Sequence, residues 1–412
     1  MIDGTTTIPR FRRGRVIIGQ VFVNVALFAT SAAAVSVLLP GRVAALDPHG
    51  KVAALAVILS ISYAVTALAQ PLIGTLSDRT STRFGRRLPW MIAGAIVGGI
   101  ALGVLGGATS VVLVAVLWAV AQVSLSGVQV STDSYLVDVF APGRRGLAAG
   151  LVGLAAVVGV ATGALLAASF ASRPTAAFVV FAAGIAGSVV IFAILVRDAP
   201  LPRRELPRRR MFTILREGVR SVATHPDYIK ILLWRFAYSI AYGTVFAYLL
   251  YVVTDLIDVP KVEAAHVVGI ATALGGVATA ASVVLGGWLS DRTSRRRTFL
   301  VVGAAVIILG DLVLLVSPTV PSVLATAALF GVGFGLSASC GRALASQLLP
   351  NPVSGAAAGL GMLNTAANVG QALAPVIGAL VIGLAGYPAV FVTSIVGAAV
   401  CLVAVTRVKT VR

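Results

Sequence analysis

The feature that most constrains the fold of this chain is a series of apolar stretches, each about 20 residues long, that recurs along its whole length. A helix of about 20 residues crosses a hydrocarbon core of about 30 Å. Charged residues make up only 11% of the chain, against about 25% in an average soluble domain. Because backbone groups in lipid must be satisfied within their own segment, we expect an all-α integral membrane protein.

Twelve such spans can be read from the sequence, and most of the connections between them are short. The longest connection, 197–228, is rich in Pro and Arg and separates two groups of six spans. We therefore predict an N-terminal bundle over 1–196, a cytoplasmic central loop over 197–228 and a C-terminal bundle over 229–412. The first apolar run is too long for a cleavable signal peptide, and none is expected. The predicted spans are 16–39, 52–76, 90–107, 110–138, 147–171, 176–196, 229–254, 264–289, 299–316, 320–347, 356–384 and 387–406.

The basic residues predict the orientation of the spans. The formal net charge is +18, yet 27 of the 32 Lys and Arg residues lie in or next to the termini, the central loop and the loops that follow even-numbered spans. This distribution is the positive-inside bias, and it argues against a nucleic-acid partner. We expect a plasma-membrane protein (the inner membrane of a bacterium) with both termini in the cytoplasm and anionic lipids as partners on the cytoplasmic side.

The chain also repeats itself. The hexamer LSDRTS follows the second span at 76–81 and the eighth span at 289–294. Likewise GLAAGL at 146–151 opens span five, and GAAAGL at 355–360 opens span eleven. Because these echoes occur at the same points of two six-span groups, we predict two related bundles. Repeats of this kind place a substrate site near the midplane between the halves, and alternating access follows from rocking one half against the other.

The loops after spans two and eight resemble the signature loop of the major facilitator superfamily. The matching residues are Gly74, Asp78, Arg79, Gly85, Arg86 and Arg87 in the first loop, and Gly286, Asp291, Arg292, Arg295 and Arg296 in the weaker second copy. Residues 80–83 lengthen the first loop, and the longer form is similar to that of the glycoside–pentoside–hexuronide symporters and the related sucrose transporters. The resemblance implies the major facilitator fold, with twelve transmembrane helices in two pseudo-symmetric six-helix bundles, and a transport function.

The resemblance also implies a latch on the cytoplasmic side. In the superfamily the acid at Asp78 faces the N-terminus of span eleven, where the helix dipole is positive, and Asp291 is its counterpart against span five. An acid at the end of span four would meet Arg86 or Arg87, and Asp138 is available there. The alternative is a solvated loop that only fixes the topology. The residues of the predicted latch are Asp78, Arg79, Arg86, Arg87, Asp138, Asp291 and Arg292.

The superfamily's cavity is lined mainly by spans one, four, seven and ten, so polar or aromatic stripes near it are candidate substrate contacts. Span four carries a polar stripe within Gln122–Asp133, and span seven carries an aromatic face with Tyr238 and Tyr242. Amides suit sugar hydroxyls, and flat rings suit the apolar faces of a pyranose. Each polar stripe has the alternative role of joining helices, and Tyr248 and Tyr251 are expected at the membrane interface. The predicted substrate contacts are Asn24, Gln122, Ser126, Gln129, Tyr238, Tyr242, Asn364, Asn368 and Gln371.

Three charged residues lie inside predicted spans. Asp133 in span four and Arg342 in span ten occupy equivalent positions of the repeat, 209 residues apart, which predicts a gating pair between the halves. The alternative is that Asp133 joins the loop arginines while Arg342 snorkels to the cytoplasm. Asp133 and Asp311 are candidates for carrying a coupling proton, with a neutral, helix-bonded side chain as the alternative for Asp311. Spans one to three contain no acid within the membrane, so facilitated diffusion or efflux stays open beside H+ or Na+ coupling.

The chain offers no enzyme site. Its three His residues are far apart, no spacing matches a metal site, and no phosphate-binding glycine loop is present. Cys340 and Cys401 lie on different spans and are expected to be core residues. We therefore predict a transporter, without cofactor or metal and functional as a monomer, that moves a small polar solute, a sugar or glycoside. A multidrug or metabolite exporter is the alternative, and a membrane-embedded enzyme or scaffold is a remote one.

Overall fold

The structure is a computed structural model that describes residues 10–80, 82, 85–140, 145–196, 225–293, 295–348 and 356–408. Within these ranges it does not describe the side chains of 10–13, 137, 145–147, 342, 346 and 356–360. The described residues form twelve helices that are long and apolar enough to cross a membrane. The predicted all-α membrane fold is confirmed.

The helices follow the predicted spans closely and are numbered α1 to α12 in chain order. The first six are α1 (Arg10–Ala33, Ala34–Leu38 and Leu39–Leu46), α2 (Lys51–Arg79), α3 (Leu88–Leu105), α4 (Val111–Val139), α5 (Arg145–Ser169) and α6 (Pro174–Leu195). The last six are α7 (Pro226–Tyr251 and Val252–Leu256), α8 (Lys261–Thr293), α9 (Arg296–Val316), α10 (Val320–Gln347), α11 (Ala356–Ala385) and α12 (Pro388–Thr406). Most of the predicted central loop lies outside the described residues, and α7 begins within its last three positions.

Helix α1 continues past the predicted end of the first span at 39. The continuation contains Pro40, and proline disrupts a regular α-helix because it lacks a backbone N–H and its ring clashes with the carbonyl four residues earlier. A π-helical turn, Ala34–Leu38, lies directly before Pro40. The wider turn accommodates the proline ring, and helical structure resumes through Leu39–Leu46. Such π-helical turns are frequent at functional sites.

The helices pack as two groups of six with the same internal pattern. In the first group α1 packs on α5 and α6, α3 on α4 and α6, and α2 on α4. In the second group α7 packs on α11 and α12, α9 on α10 and α12, and α8 on α10. The groups meet along two seams, α2 against α11 and α5 against α8, which are themselves equivalent. A pseudo-twofold relation therefore connects the two groups.

Close helix contacts fix the register of this relation. A Cβ at Gly94 of α3 would lie 2.6 Å from the carbonyl oxygen of Ser124 in α4. A Cβ at Gly303 of α9 would lie 3.1 Å from the carbonyl oxygen of Gly333 in α10. Both partners of the second contact come 209 positions after those of the first, so α4 and α10 correspond with that offset.

A second pair of contacts relates α1 to α7. A Cβ at Gly159 of α5 would lie 2.6 Å from the carbonyl oxygen of Val25, and one at Gly370 of α11 would lie 2.7 Å from that of Phe236. The offset here is 211 positions. The repeated LSDRTS relates α2 to α8 with an offset of 213.

The helical assembly has two ends. The basic end carries the loops that follow α2 and α8, which contain the LSDRTS copies. The opposite end carries the connections α1–α2 and α7–α8.

Candidate functional site

An ion pair joins the two groups at the opposite end. The Nζ of Lys51, at the start of α2, lies 2.6 Å from Oδ2 and 2.8 Å from Oδ1 of Asp255 in α7. Tyr387, just before α12, donates a hydrogen bond of 2.6 Å to the same carboxylate. Burial, with the adjacent Asp255 carboxylate, raises the pKa of the Tyr387 hydroxyl far above its usual range, so it stays a donor. We call Lys51, Asp255 and Tyr387 the lock.

Two tyrosines of α7 reinforce this closure. The Tyr251 hydroxyl donates to the carbonyl of Pro40 in α1 at 3.0 Å. The Tyr248 hydroxyl lies 2.6 Å from the carbonyl of Pro375 in α11 and 3.3 Å from that of Val52 in α2. Both tyrosines are fully buried, so their hydroxyls bond to carbonyls of the protein, while their position at the membrane interface stays a prediction. The Tyr251 hydroxyl reaches the other group, whereas the shorter contact of Tyr248 is within its own group.

At the basic end the described ion pairs stay within one group. Arg86 contacts Asp138 through Nη2 at 2.5 Å, and the Nε of Arg87 lies 3.3 Å from the same oxygen. Arg87 also pairs with Asp78 and donates to the hydroxyl of Ser77. Both arginines are buried, so this network fixes the α2–α3 loop against the end of α4.

The second copy of the loop is more open. Asp291 pairs with Arg296 at 2.9 Å and has a side chain that is 68% exposed. Arg292 lies over the exposed ring of Trp288 at 5.4 Å, and Arg79 is exposed at the end of α2. The acids therefore pair with arginines of their own group. The predicted dipole contacts near Gly146 and Gly355 involve positions whose side chains or backbone lie outside the described residues, and they stay predictions.

A polar pocket lies inside the first group, between α1, α2 and α4. It has a volume of 60 Å³ and is lined by Leu27, Phe28, Ser31, Thr66, Gln70, Gln122, Leu125, Ser126 and Gln129. The buried Oε1 of Gln122 and Oγ1 of Thr66 have no hydrogen-bond partner among the described residues. Buried polar atoms are normally paired, so these two oxygens are available to a ligand. We call this the amide pocket, and it contains the predicted contacts Gln122, Ser126 and Gln129.

An aromatic pocket of 160 Å³ lies between the two groups. Its polar and aromatic lining comes from Tyr63, Arg235, Tyr238, Tyr242 and Gln371, with Phe246 and Phe334 beside them. The predicted contacts Tyr238, Tyr242 and Gln371 therefore line a common space. The guanidinium of Arg235 lies 5.9 Å from the centre of the Tyr238 ring, a distance at which cation–π attraction operates.

A third cavity, the apolar chamber, has a volume of 350 Å³ and lies between α1, α5, α7, α8 and α10. It shares Tyr242, Phe246 and Phe334 with the aromatic pocket, and Phe28 with the amide pocket. The chamber therefore adjoins both the amide pocket of the first group and the aromatic pocket between the groups.

Three predicted substrate contacts lie outside these cavities. Asn24 is buried, and its amide donates to the carbonyl of Gln20 one turn earlier at 2.9 Å, so it satisfies its own helix. Asn364 is exposed and Asn368 is half-buried, and both lie nearer the basic end of α11 than Gln371 does. Of the three predicted contacts on α11, Gln371 lines one of the cavities described above.

The charged residues predicted inside spans have different surroundings. Asp133 is exposed one turn beyond Gln129 toward the basic end. The side chain of Arg342 lies outside the described residues, so its pairing with Asp133 stays a prediction. Asp311 of α9 is fully buried, and Ser394 of α12 is a polar neighbour of its carboxyl group.

Comparison with known proteins decides the family. The profile of the Major Facilitator Superfamily matches residues 21–275 and 263–412, nearly the whole chain. The chain belongs to the Major Facilitator Superfamily. This superfamily member is therefore a multi-pass membrane transporter and not an enzyme.

Solved transporter structures share the fold of this superfamily member. A bacterial homolog of the human lysosomal transporter Spinster, in an inward-facing and unoccupied conformation, matches with a TM-score of 0.69 at 14% identity, over 97% of this chain and 95% of that one. A variant of the nucleoside transporter NupG matches with a TM-score of 0.77 at 11% identity, over 95% and 98%. At these identities the likeness shows the fold alone.

A curated relative matches over a short segment. An uncharacterized symporter of Synechocystis sp. is 53% identical over 51 residues, which are 12% of this chain and 9% of the relative. The matched part of the chain therefore spans less than a tenth of that relative's length.

Sequence reasoning missed the lock and part of the cavity wall. Lys51 and Asp255 were visible only as scattered charges at the opposite end, because their pairing depends on how the two groups meet. Phe28 and Phe334 are ordinary apolar residues of membrane spans, and only the packing places them where the cavities adjoin.

Proposed function

We propose that this transporter moves a sugar or glycoside by alternating access. The observation that carries the proposal is the amide pocket, which holds unpartnered buried oxygens of Gln122 and Thr66 beside the tyrosine-lined pocket. Sugar hydroxyls donate to such oxygens, and aromatic rings suit the apolar faces of a pyranose. The similarity of the α2–α3 loop to that of the glycoside–pentoside–hexuronide symporters and sucrose transporters supports the same substrate class.

The orientation of the transporter in the membrane is also proposed. The positive-inside bias favours the basic end in the cytoplasm of a bacterial inner membrane, with both termini on that side. The lock then lies outside, and the described arrangement is that of a carrier closed outward. Rocking the halves would release the lock and bring the α2–α3 and α8–α9 loops together. The exposed Trp288 and Arg292 suit an interface with anionic lipid, and a monomer supplies both halves of the pathway.

Ion coupling is proposed through Asp133. Its carboxyl continues the Gln122–Gln129 stripe toward the basic end and is exposed, so protons can reach it. The name of the short-segment relative, a symporter, supports coupling to an ion such as H+ or Na+.

One observation favours the second candidate, an exporter of drugs or metabolites. The apolar chamber is the largest of the three central cavities, and its walls suit hydrophobic solutes better than free sugars. Such an exporter would expel apolar compounds and would not take up sugars.

The test is uptake of labelled sugars by proteoliposomes, with and without a proton gradient. Saturable sugar uptake supports the proposal, and proton-driven efflux of dyes without sugar uptake supports the exporter. Gln122→Leu should lower the uptake rate at least tenfold, because it removes a hydrogen-bond acceptor from the pocket. Ser60→Ala is the matched control, since it deletes another unpartnered buried oxygen outside the three cavities. Unchanged uptake by Gln122→Leu would move the sugar site elsewhere.

A further inference from the structure

Equivalent positions of the two groups carry unlike side chains around the central cavities. The register of the repeat relates Ser31 of α1 to Tyr242 of α7, and Leu125 of α4 to Phe334 of α10. At these positions a polar or aliphatic side chain of the first group corresponds to an aromatic or small apolar residue of the second. The three glutamines of the amide pocket, Gln70, Gln122 and Gln129, correspond to Val283, Gly331 and Ala338.

The apolar chamber offers few partners to sugar hydroxyls. Its hydroxyl-bearing side chains are Tyr242, Thr272, Thr279 and Thr326. The hydroxyls of Thr279 and Thr326 donate to the helix carbonyls of Gly275 and Gly310 at 2.8 Å, so their protons are already engaged. A sugar hydroxyl left unpaired in such a space weakens binding by roughly tenfold or more.

An apolar group gains from the same walls. Phe28, Val157, Val160, Val245 and Phe330 are among the side chains that enclose the chamber. Pockets of about 300 Å³ and larger bury most of the surface of a drug-sized ligand. Because Phe28 also lines the amide pocket, a ligand reaching past it would have one end among amides and the other among hydrocarbon.

We propose that the solute is amphipathic and that its apolar part occupies the chamber between α5, α7, α8 and α10. This inference rests on the proposed function and narrows it: the substrate is a glycoside with an apolar aglycone. Its sugar hydroxyls bind the amides that line the amide pocket, and its aglycone lies against Tyr242, Phe246 and Phe334.

Gly276 offers a position at which the chamber can be filled. The register of the repeat relates Gly276 to Tyr63 of the first group. The first group therefore carries an aromatic ring at a position where the second group has no side chain and lines the chamber. A Cβ at Gly276 would have Val160 as its nearest neighbour, at 3.5 Å, which is ordinary contact. Leucine there would extend into the chamber. Gly184 of α6 has open space at its Cβ and receives the same substitution as a control.

The experiment measures binding by calorimetry to the full chain in nanodiscs, after subtraction of empty nanodiscs. Methyl, butyl and hexyl β-glucoside form the first series, and the matching galactosides run in parallel. We expect wild-type affinity to rise about fourfold per added methylene. Gly276→Leu should lose this dependence while keeping its affinity for the methyl glycoside, and Gly184→Leu should behave as wild type.

A second series separates failure of this inference from failure of the proposed function. It uses 1,2-butanediol, 1,2-hexanediol and 1,2-octanediol, which carry alkyl chains on a head that is not a sugar. Chain-length dependence that appears only with the diols, and is lost in Gly276→Leu, supports the chamber and refutes the sugar. Equal affinity along both series, dependence that persists in Gly276→Leu, or no binding of either series overturns the inference.

Discussion

Lys51 of α2 and Asp255 of α7 form an ion pair between the two halves, and the same carboxylate accepts a hydrogen bond from Tyr387 before α12. The side chains of the pair are 19% and 27% exposed, so water screens it only in part. The pair joins α2 of the first group to α7 of the second, so separating the two groups at the opposite end must break it. The free energy of this pair therefore contributes to the equilibrium between the form closed and the form open at the opposite end.

Replacing Lys51 with Met should shift that balance toward the form open at the opposite end. A partly exposed pair contributes about 1 kcal/mol, which corresponds to about a fivefold change in population. Spin-label distances between the α1–α2 and α7–α8 connections report the shift. Lys230→Met is the control, because Lys230 pairs with Asp227 within one half. An unchanged distance distribution in Lys51→Met would contradict the role of the lock.

Tyr251→Phe should lower the free energy of unfolding by about 1 kcal/mol, since it deletes a buried hydrogen bond to Pro40. Tyr228→Phe makes the same chemical change at a hydroxyl with no partner among the described residues, and it should be close to neutral. Unfolding in detergent, followed by circular dichroism, compares the two. If both variants lowered the free energy of unfolding equally, the hydrogen bond from Tyr251 to Pro40 would add nothing to stability.

Asp78→Asn should reduce transport at least tenfold with little loss of folded protein. The Asp78 carboxylate is 32% exposed and pairs with the buried Arg87, so the variant weakens the loop network while Asp138 still neutralises the arginine. Asp291→Asn, at the equivalent and more exposed position, should have the smaller effect. Uptake rates normalised to monodisperse protein give the comparison, and normal transport by Asp78→Asn would refute the latch.

Uptake stimulated by a proton gradient should be lost in Asp133→Asn and retained in Asp311→Asn. Asp133 is exposed on the cavity face of α4, whereas Asp311 is fully buried among α9, α10 and α12. A proton must enter and leave on each cycle, and only the first carboxyl is reachable. The reverse result in proteoliposomes would assign coupling to Asp311.

The twelve spans could be predicted because length and hydropathy alone determine what crosses a bilayer. The stripe of Gln122, Ser126 and Gln129 was also predictable, since helical spacing places these residues on one face. The end of α1 was not, because the effect of Pro40 depends on a π-helical turn that no composition rule indicates. The contacts of Arg86 and Arg87 with Asp138 were predicted from the resemblance of the α2–α3 loop to the signature loop of the superfamily.

Contacts between distant segments were harder to predict. Asp291 was expected to face a helix N-terminus, and the structure pairs it with Arg296 five positions away. The partners of Tyr248 and Tyr251 are main-chain carbonyls, which every residue type supplies, so no sequence pattern predicts them. Contacts between the halves depend on the conformational state of the carrier, which a single sequence does not specify.

The tyrosine bond across the opposite end has a consequence for how this carrier tolerates mutation. Tyr251 donates from the second half, while Pro40 of the first half accepts through a carbonyl that every amino acid possesses. Position 40 can therefore change identity and still offer the acceptor, whereas loss of the phenol removes the bond outright. Selection can adjust the strength of closure at position 251 while position 40 drifts.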